Sequence, residues 1–256
     1  MRISLLPSIS FTLFGLAIAP LAFAQSTPLP KANEAQNDAS ALVEETQAPE
    51  IDFIFDESPD DHVIGSETAP LTMISYASVT CGHCGNWFSN EWPDIREALV
   101  ETGKLRFVLR PLPTPPAILS MTGFIMGECA PDEDYFEVIQ YQMENQTAIF
   151  EAAQAGQGQE AYAKVGALAG LNSDEEINAC LSDPTHMSAL QRAGARADAA
   201  NVQGVPAFYV NGETYKGKQD AATIIALIEE MTEKGLSSLP EIENIESSDK
   251  EDSHDH

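Results

Sequence analysis

Leu71-Thr72-Met73-Ile74-Ser75-Tyr76-Ala77, followed shortly by Cys81-Gly82-His83-Cys84, is the stretch that decides how this chain folds. The first run is apolar and β-prone and reads as a strand. Beyond the cysteines, Phe88, Trp92, Ile95 and Leu99 recur at helical spacing and Gly103 supplies a stop. Cys81 therefore sits where a strand ends and a helix begins.

Two thiols in that setting form a redox centre. Free backbone N–H groups and the positive end of the helix dipole favour a thiolate on Cys81. Cys84, about one turn on, can donate its S–H to that thiolate, and His83 adds a cation when protonated. All three effects favour the anion of Cys81 over that of Cys84, which makes Cys81 the nucleophile and Cys84 the resolving thiol. A stabilised thiolate also makes the disulfide a stronger oxidant. A zinc knuckle is the plain alternative for any C-x-x-C pair, but it needs four ligands and normally a second ligand pair. The remaining cysteines, Cys129 and Cys180, stand alone and far apart.

Leu105 to Arg110 reads as a second strand with Phe107 and Leu109 on one face. Strand, helix and strand then make a right-handed βαβ unit with Cys81 at the carboxyl end of its first strand. Near the C-terminus, residues 206–210 read as a strand, Asn211-Gly212 as a tight turn and Thr214-Tyr215 as the returning strand. Asp220 caps a last helix whose apolar side is Ile224, Ile225, Leu227 and Ile228. The order βαβ followed by ββα is a thioredoxin-like plan, an α/β fold, with residues 51–111 and 201–235 as its two parts. Residues 112–200 are helical in pattern and form an insertion. Ile118, Met121, Phe124 and Ile125 make one stripe and Tyr135, Phe136, Ile139 and Met143 another. Ala161 to Leu171 is alanine-rich, and Ser173-x-x-Glu176 is a capping box for a helix running into Cys180.

Residues 1–24 read as a secretory signal: Arg2, an apolar stretch from Phe11 to Ala19, and Ala22-Phe23-Ala24 as the cleavage site. An uncleaved anchor is the competing reading. Cleavage places the chain in an exported, disulfide-permissive compartment, expected to be a bacterial periplasm. Residues 25–50 and the tail 236–256, the latter with seven acids against one lysine, hold too few apolar groups to offset the entropy of ordering and are expected to be disordered. The chain carries 40 Asp and Glu against 13 Lys and Arg, a net charge of −27, and the excess of acid extends through the folded part. That balance excludes nucleic acid and anionic membrane surfaces as expected partners. His254 and His256 in the tail read as solvated residues, with weak cation binding as the alternative.

Four cysteines allow three pairings. If Cys81 pairs with Cys84, then Cys129 pairs with Cys180 and closes a loop worth roughly 4 kcal/mol in the chain-entropy model. That bond reads as structural; the alternative leaves both thiols free.

With these residues in view, the chain resembles the DsbA-like thiol:disulfide oxidoreductases of bacterial periplasms. The resemblance rests on the C-x-H-C centre, Asp61-His62-Val63-Ile64-Gly65, Gly103-Lys104, Arg110, Gly204-Val205-Pro206 and Val210-Asn211-Gly212, and covers about residues 51–233. It implies a thioredoxin domain with a helical insertion, Cys81 as the attacking thiol and Cys84 as the resolving one. It also implies a cis peptide bond at Val205-Pro206, in a loop that lies against the thiols and presents the Val205 backbone to an extended substrate. Three details depart from the common pattern. Gly82-His83 is the dipeptide of eukaryotic disulfide isomerases, where many DsbA proteins place proline at position 82. Ser75 stands where many thioredoxin-fold enzymes bury a carboxylate. Val205 stands where the family's isomerases often carry threonine.

The expected function is disulfide formation in reduced or unfolded exported proteins by a monomer that needs no cofactor and is reoxidised by a DsbB-type membrane partner. One rival is an isomerase or reductase kept reduced by an electron donor. Such proteins commonly oligomerise through an N-terminal extension, and residues 25–50 show no apolar heptad. The other is a module holding a soft cation such as Cu(I) on Cys81 and Cys84, disfavoured by the lack of a methionine-rich or further Cys/His cluster.

Overall fold

The computed structural model describes residues 52–240. The expected signal, linker and most of the acidic tail lie outside them. Five strands form one sheet in the order β1-β3-β2-β4-β5. The central pair, β2 (Leu71–Ala77) and β3 (Leu105–Pro111), is parallel; β1 (His62–Ile64), β4 (Ala207–Val210) and β5 (Glu213–Thr214) are antiparallel to their neighbours. The short edge strand β1, pairing Val63 with Val108, goes beyond the sequence reading. Three residues leave too little alternation to announce a strand.

The strands alternate between two cores, as a pleat with period two requires. Leu71, Met73, Leu105, Phe107, Leu109, Phe208 and Val210 face the larger core, whereas Ile74, Tyr76, Val108 and Tyr209 face a smaller one shared with Ala197. Trp87, Phe88 and Trp92 fill the larger core, with Trp92 and Phe107 ring centroids 4.3 Å apart.

The helix after the cysteines comes in pieces: α1 (Gly82–Asn90), α2 (Trp92–Ile95) and a π-helical turn (Arg96–Val100). Pro93, in the first turn of α2, lacks the N–H that would continue α1. The apolar spacing still holds, because Phe88, Trp92, Ile95 and Leu99 are all buried. Gly103 makes the turn into β3 at φ 74°.

Between β3 and β4 the chain forms α3 (Ala117–Glu128), a 3-10 turn, α4 (Tyr135–Glu144), α5 (Gln146–Gln154), α6 (Gly158–Leu168), α7 (Asp174–Ser182) and α8 (Pro184–Ala199). The Ser173 hydroxyl accepts the Glu176 N–H and caps α7. The α4 stripe is buried throughout, but in α3 Ile118 is 80 % exposed while Phe124 and Ile125 are buried. Ile118 stands at the start of α3, before the helix reaches its packing partners. After the Asn211-Gly212 turn comes α9 (Ala221–Lys234), capped by Asp220 and ended by Gly235 at φ 62°. Residues 236–240 then return to the fold, where Leu236 and Leu239 pack on the core.

Arg110 anchors the N-terminal segment. Its side chain is fully buried and donates to both carboxylate oxygens of Asp61, to the Ile54 and Asp56 carbonyls and to the Tyr76 hydroxyl. Asp60 accepts from Arg192 at 2.5 Å and Arg196 at 2.8 Å, tying the same segment to α8. Burial works to raise the Asp60 carboxyl, but hydrogen bonds from Ser58 and both arginines hold it well below the usual range.

Candidate active site

Strand β2 delivers the chain to Cys81, which serves as the N-cap of α1 with extended backbone (φ −86°, ψ 118°) and no side-chain cap. Its carbonyl takes the first helical bond, from the Gly85 N–H at 3.0 Å. The two thiols have unlike surroundings: Cys81 is half-buried, whereas Cys84 is fully buried, and both are free. Burial pushes the Cys84 thiol far up. A Ser78 N–H aimed at its sulfur from 3.5 Å offsets part of this, and charge on Cys81 adds to the rise.

Val205 and Pro206 lie across from the cysteines, joined by a cis peptide bond. The Val205 carbonyl stands 3.4 Å from Cys81 Sγ and accepts its S–H. The remaining sequence-predicted residue, His83, is exposed. Together with Trp87, Val205, Pro206 and Gln219 it lines a shallow cleft of about 370 Å³ beside the thiols. Trp87 is fixed there by its indole N–H, which donates to the Gln219 carbonyl at 2.7 Å. Ser75 is fully buried, and its hydroxyl has no hydrogen-bond partner among the described residues.

Two further elements hold the loop before Cys81, and neither is evident in the sequence. Ser78 Oγ gathers the hydroxyls of Thr80, Thr114 and Ser120 and the Thr114 N–H, which joins the loop to the start of α3. On the other side, the Gln146 side-chain amide, at the head of α5, donates to the carbonyls of Val79 at 3.0 Å and Cys81 at 2.9 Å. Gly85 makes room for it, since a Cβ there would lie 2.5 Å from Gln146 Oε1. A glycine at this point of the helix permits the close approach.

Cys129 and Cys180 are elsewhere. They form a disulfide, with Cα atoms 6.0 Å apart, that joins the end of α3 to α7.

The thioredoxin family model matches residues 57–230, most of the chain. The chain belongs to the thioredoxin family. Among curated relatives, a Rickettsia bellii protein provisionally named a protein-disulfide oxidoreductase is 26% identical over 198 residues, covering 74% of this chain and 72% of that one. A Herminiimonas arsenicoxydans protein named a Na(+)/H(+) antiporter is 29% identical over 174 residues, 66% of this chain; the match spans only 25% of that longer protein. Among solved structures, a variant of alpha-DsbA1 from Wolbachia pipientis aligns with a TM-score of 0.63 at 22% identity, covering 72% of this chain and 96% of that one. That likeness shows a shared fold, a thioredoxin domain with the helices between β3 and β4 as its insertion.

Proposed function

We propose that this chain is a protein-disulfide oxidoreductase that works as an oxidase, passing a Cys81–Cys84 disulfide to reduced exported proteins. The observation that carries the reading is the asymmetry of the two thiols: Cys81 is half-buried beside the Val205 carbonyl, and Cys84 is buried with its thiol pushed up. An incoming thiolate reaches Cys81 and not Cys84. It attacks Cys81 Sγ, forms a mixed disulfide and releases Cys84, which takes up a proton. A second thiolate of the substrate then attacks the substrate sulfur, and Cys81 leaves with the enzyme reduced. In the reverse sense, a thiol as raised as Cys84 stays protonated near neutral pH, so Cys81 is the nucleophile.

The cleft with His83, Val205 and Pro206 supports docking of an extended segment beside Cys81. The expected reduction potential lies between roughly −180 and −120 mV, the range from protein disulfide isomerase to DsbA. The oxidant that restores the disulfide is proposed to be a DsbB-type membrane partner, and the setting a periplasm reached through a cleaved signal. Among the described residues no helix is long and apolar enough to cross a membrane.

An isomerase is the second reading, favoured by the Gly82-His83 dipeptide. Oxidation of reduced ribonuclease, run beside refolding of scrambled ribonuclease with a Cys81→Ala control, separates the two. Fast oxidation with little unscrambling is the expected result; strong unscrambling would replace the oxidase reading with the isomerase one.

A further inference from the structure

Cys129 and Cys180 have a third neighbour with metal-ligand chemistry. His186 Nδ1 lies 3.4 Å from Cys129 Sγ, and one ligand atom from each of the three residues falls within 4.8 Å of the others. Tetrahedral zinc, with bonds of about 2.3 Å to sulfur and 2.0–2.1 Å to nitrogen, holds an S and an N ligand about 3.5 Å apart. The Cys129–His186 spacing already meets that condition. Two thiolates on one zinc stand about 3.8 Å apart, so the sulfurs must separate by about 2 Å once the bond is reduced. Side-chain rotation from Cα atoms 6.0 Å apart provides this without moving the helices.

We propose that Cys129, Cys180 and His186 form a redox-gated site for a soft divalent cation such as zinc, open when the disulfide is reduced and closed when it forms. A dithiol reductant supplies the opening step: two electrons and two protons pass to the sulfurs, and the reductant leaves as a disulfide. Binding of the cation then releases the two thiol protons. In the other direction a disulfide oxidant takes two electrons from the two thiolates, the Cys129–Cys180 bond forms, and the cation departs.

His186 has an ordinary role as well: Nδ1 lies 3.1 Å from the Cys180 carbonyl near the end of α7. Turning the imidazole to a metal would not strand that oxygen, because the Asp183 N–H donates to it at 3.2 Å. The three ligands come from the end of α3, from α7 and from the first turn of α8, so a cation would hold the helices that the disulfide holds and add α8. His186 also lines a cleft of about 460 Å³ with Glu128, Asp132 and Thr185. Arg106 and Arg192 line the same cleft, so the ligand set rests on the three named residues, with a water to complete the tetrahedron.

The test uses the protein carrying Cys81→Ala and Cys84→Ala, so that the C-x-x-C thiols cannot bind the metal. After reduction and removal of the reductant without air, it is titrated with cobalt(II). One equivalent should bind with a thiolate-to-cobalt charge-transfer band and tetrahedral d–d bands, both displaced by zinc. The disulfide form should show neither. His186→Ala should weaken binding at least tenfold, and circular dichroism should show the same helix content in reduced protein with and without this substitution once metal is bound. Absence of the charge-transfer band in reduced protein overturns the proposal. So does equal affinity in the His186→Ala variant, whether the reduced chain stays folded or binds cobalt only as an unfolded dithiol.

Discussion

The two cysteine pairs share one chemistry and are put to opposite ends by where the fold places them. Cys81 and Cys84 stand one helical turn apart at the head of α1, one half-exposed and one fully buried. Their link closes almost no loop and therefore adds little to stability. Cys129 and Cys180 stand 51 residues apart on separate helices, so their link constrains the unfolded chain. Proximity in sequence makes a disulfide cheap to open, and distance makes it stabilising. A thiol's role follows from the loop it closes and from which partner an incoming thiolate can touch.

The largest effects come from single substitutions at the first pair. Cys81→Ala should abolish ribonuclease oxidation with the melting temperature nearly unchanged. Cys84→Ala should instead accumulate mixed disulfides on Cys81, visible as slower bands on non-reducing gels. The mirror experiment, Cys129→Ala with Cys180→Ala, should cost about 4 kcal/mol in denaturant unfolding while exchange at Cys81 persists in the folded fraction. Loss of oxidation in the folded double variant would mean that the second pair serves the chemistry as well.

The placement of the two pairs was largely legible in the residues. The run from Leu71 to Cys84 placed one pair at a strand-to-helix join, and the spacing of Phe88, Trp92, Ile95 and Leu99 named a buried helix face. What stayed hidden was whatever depends on contacts between distant segments. Pro93 divides the helix although the apolar period runs on past it, because a local break need not disturb which residues face the core. Gln146 is 65 residues from Cys81, in a polar stretch with no periodic signal, yet it bonds the Cys81 carbonyl. Arg110 was a point of family likeness with no partner attached to it; only the fold brings Asp61 and two backbone carbonyls around it. Periodicity reports which face is apolar and carries no information about which polar group will meet which.

Gln146 ties the insertion to the first pair by hydrogen bonds, as the Cys129–Cys180 bond ties the insertion to itself. Gln146→Ala removes two donors from the loop before α1 and should destabilise the protein by about 1–3 kcal/mol. It should also make the Cys81/Cys84 couple more reducing by roughly 10–30 mV, measured against glutathione, because the amide dipole no longer supports a negative charge near Cys81. Gly85→Ala should give the same shift by displacing Gln146. The two substitutions should not add: once Gln146 is alanine, the three atoms that crowd a Cβ at position 85 are gone, and the better helix former offsets part of the cost. Additive shifts would mean that Gly85 and Gln146 act on the loop separately.

The smallest effect separates a buried thiol from a buried disulfide sulfur. In the Cys81→Ala protein Cys84 is a free thiol, and burial raises it well above the ordinary range. The folded chain therefore keeps the proton that the unfolded chain gives up above about pH 8.5. With fewer protons bound to the unfolded state, stability must fall as pH rises, by at most about 1.4 kcal/mol per pH unit. Cys180 is buried too but disulfide-bonded, so it has no proton to hold and adds nothing to this slope. Unfolding of Cys81→Ala measured from pH 7 to 9.5 should show the decline, and Cys81→Ala with Cys84→Ser should not. The window closes near pH 10, where the buried hydroxyls of Tyr76, Tyr135 and Tyr162, also raised by burial, begin to contribute in the same direction. A flat profile in both proteins would mean that water reaches Cys84, and the asymmetry that assigns attack to Cys81 would then rest on geometry alone.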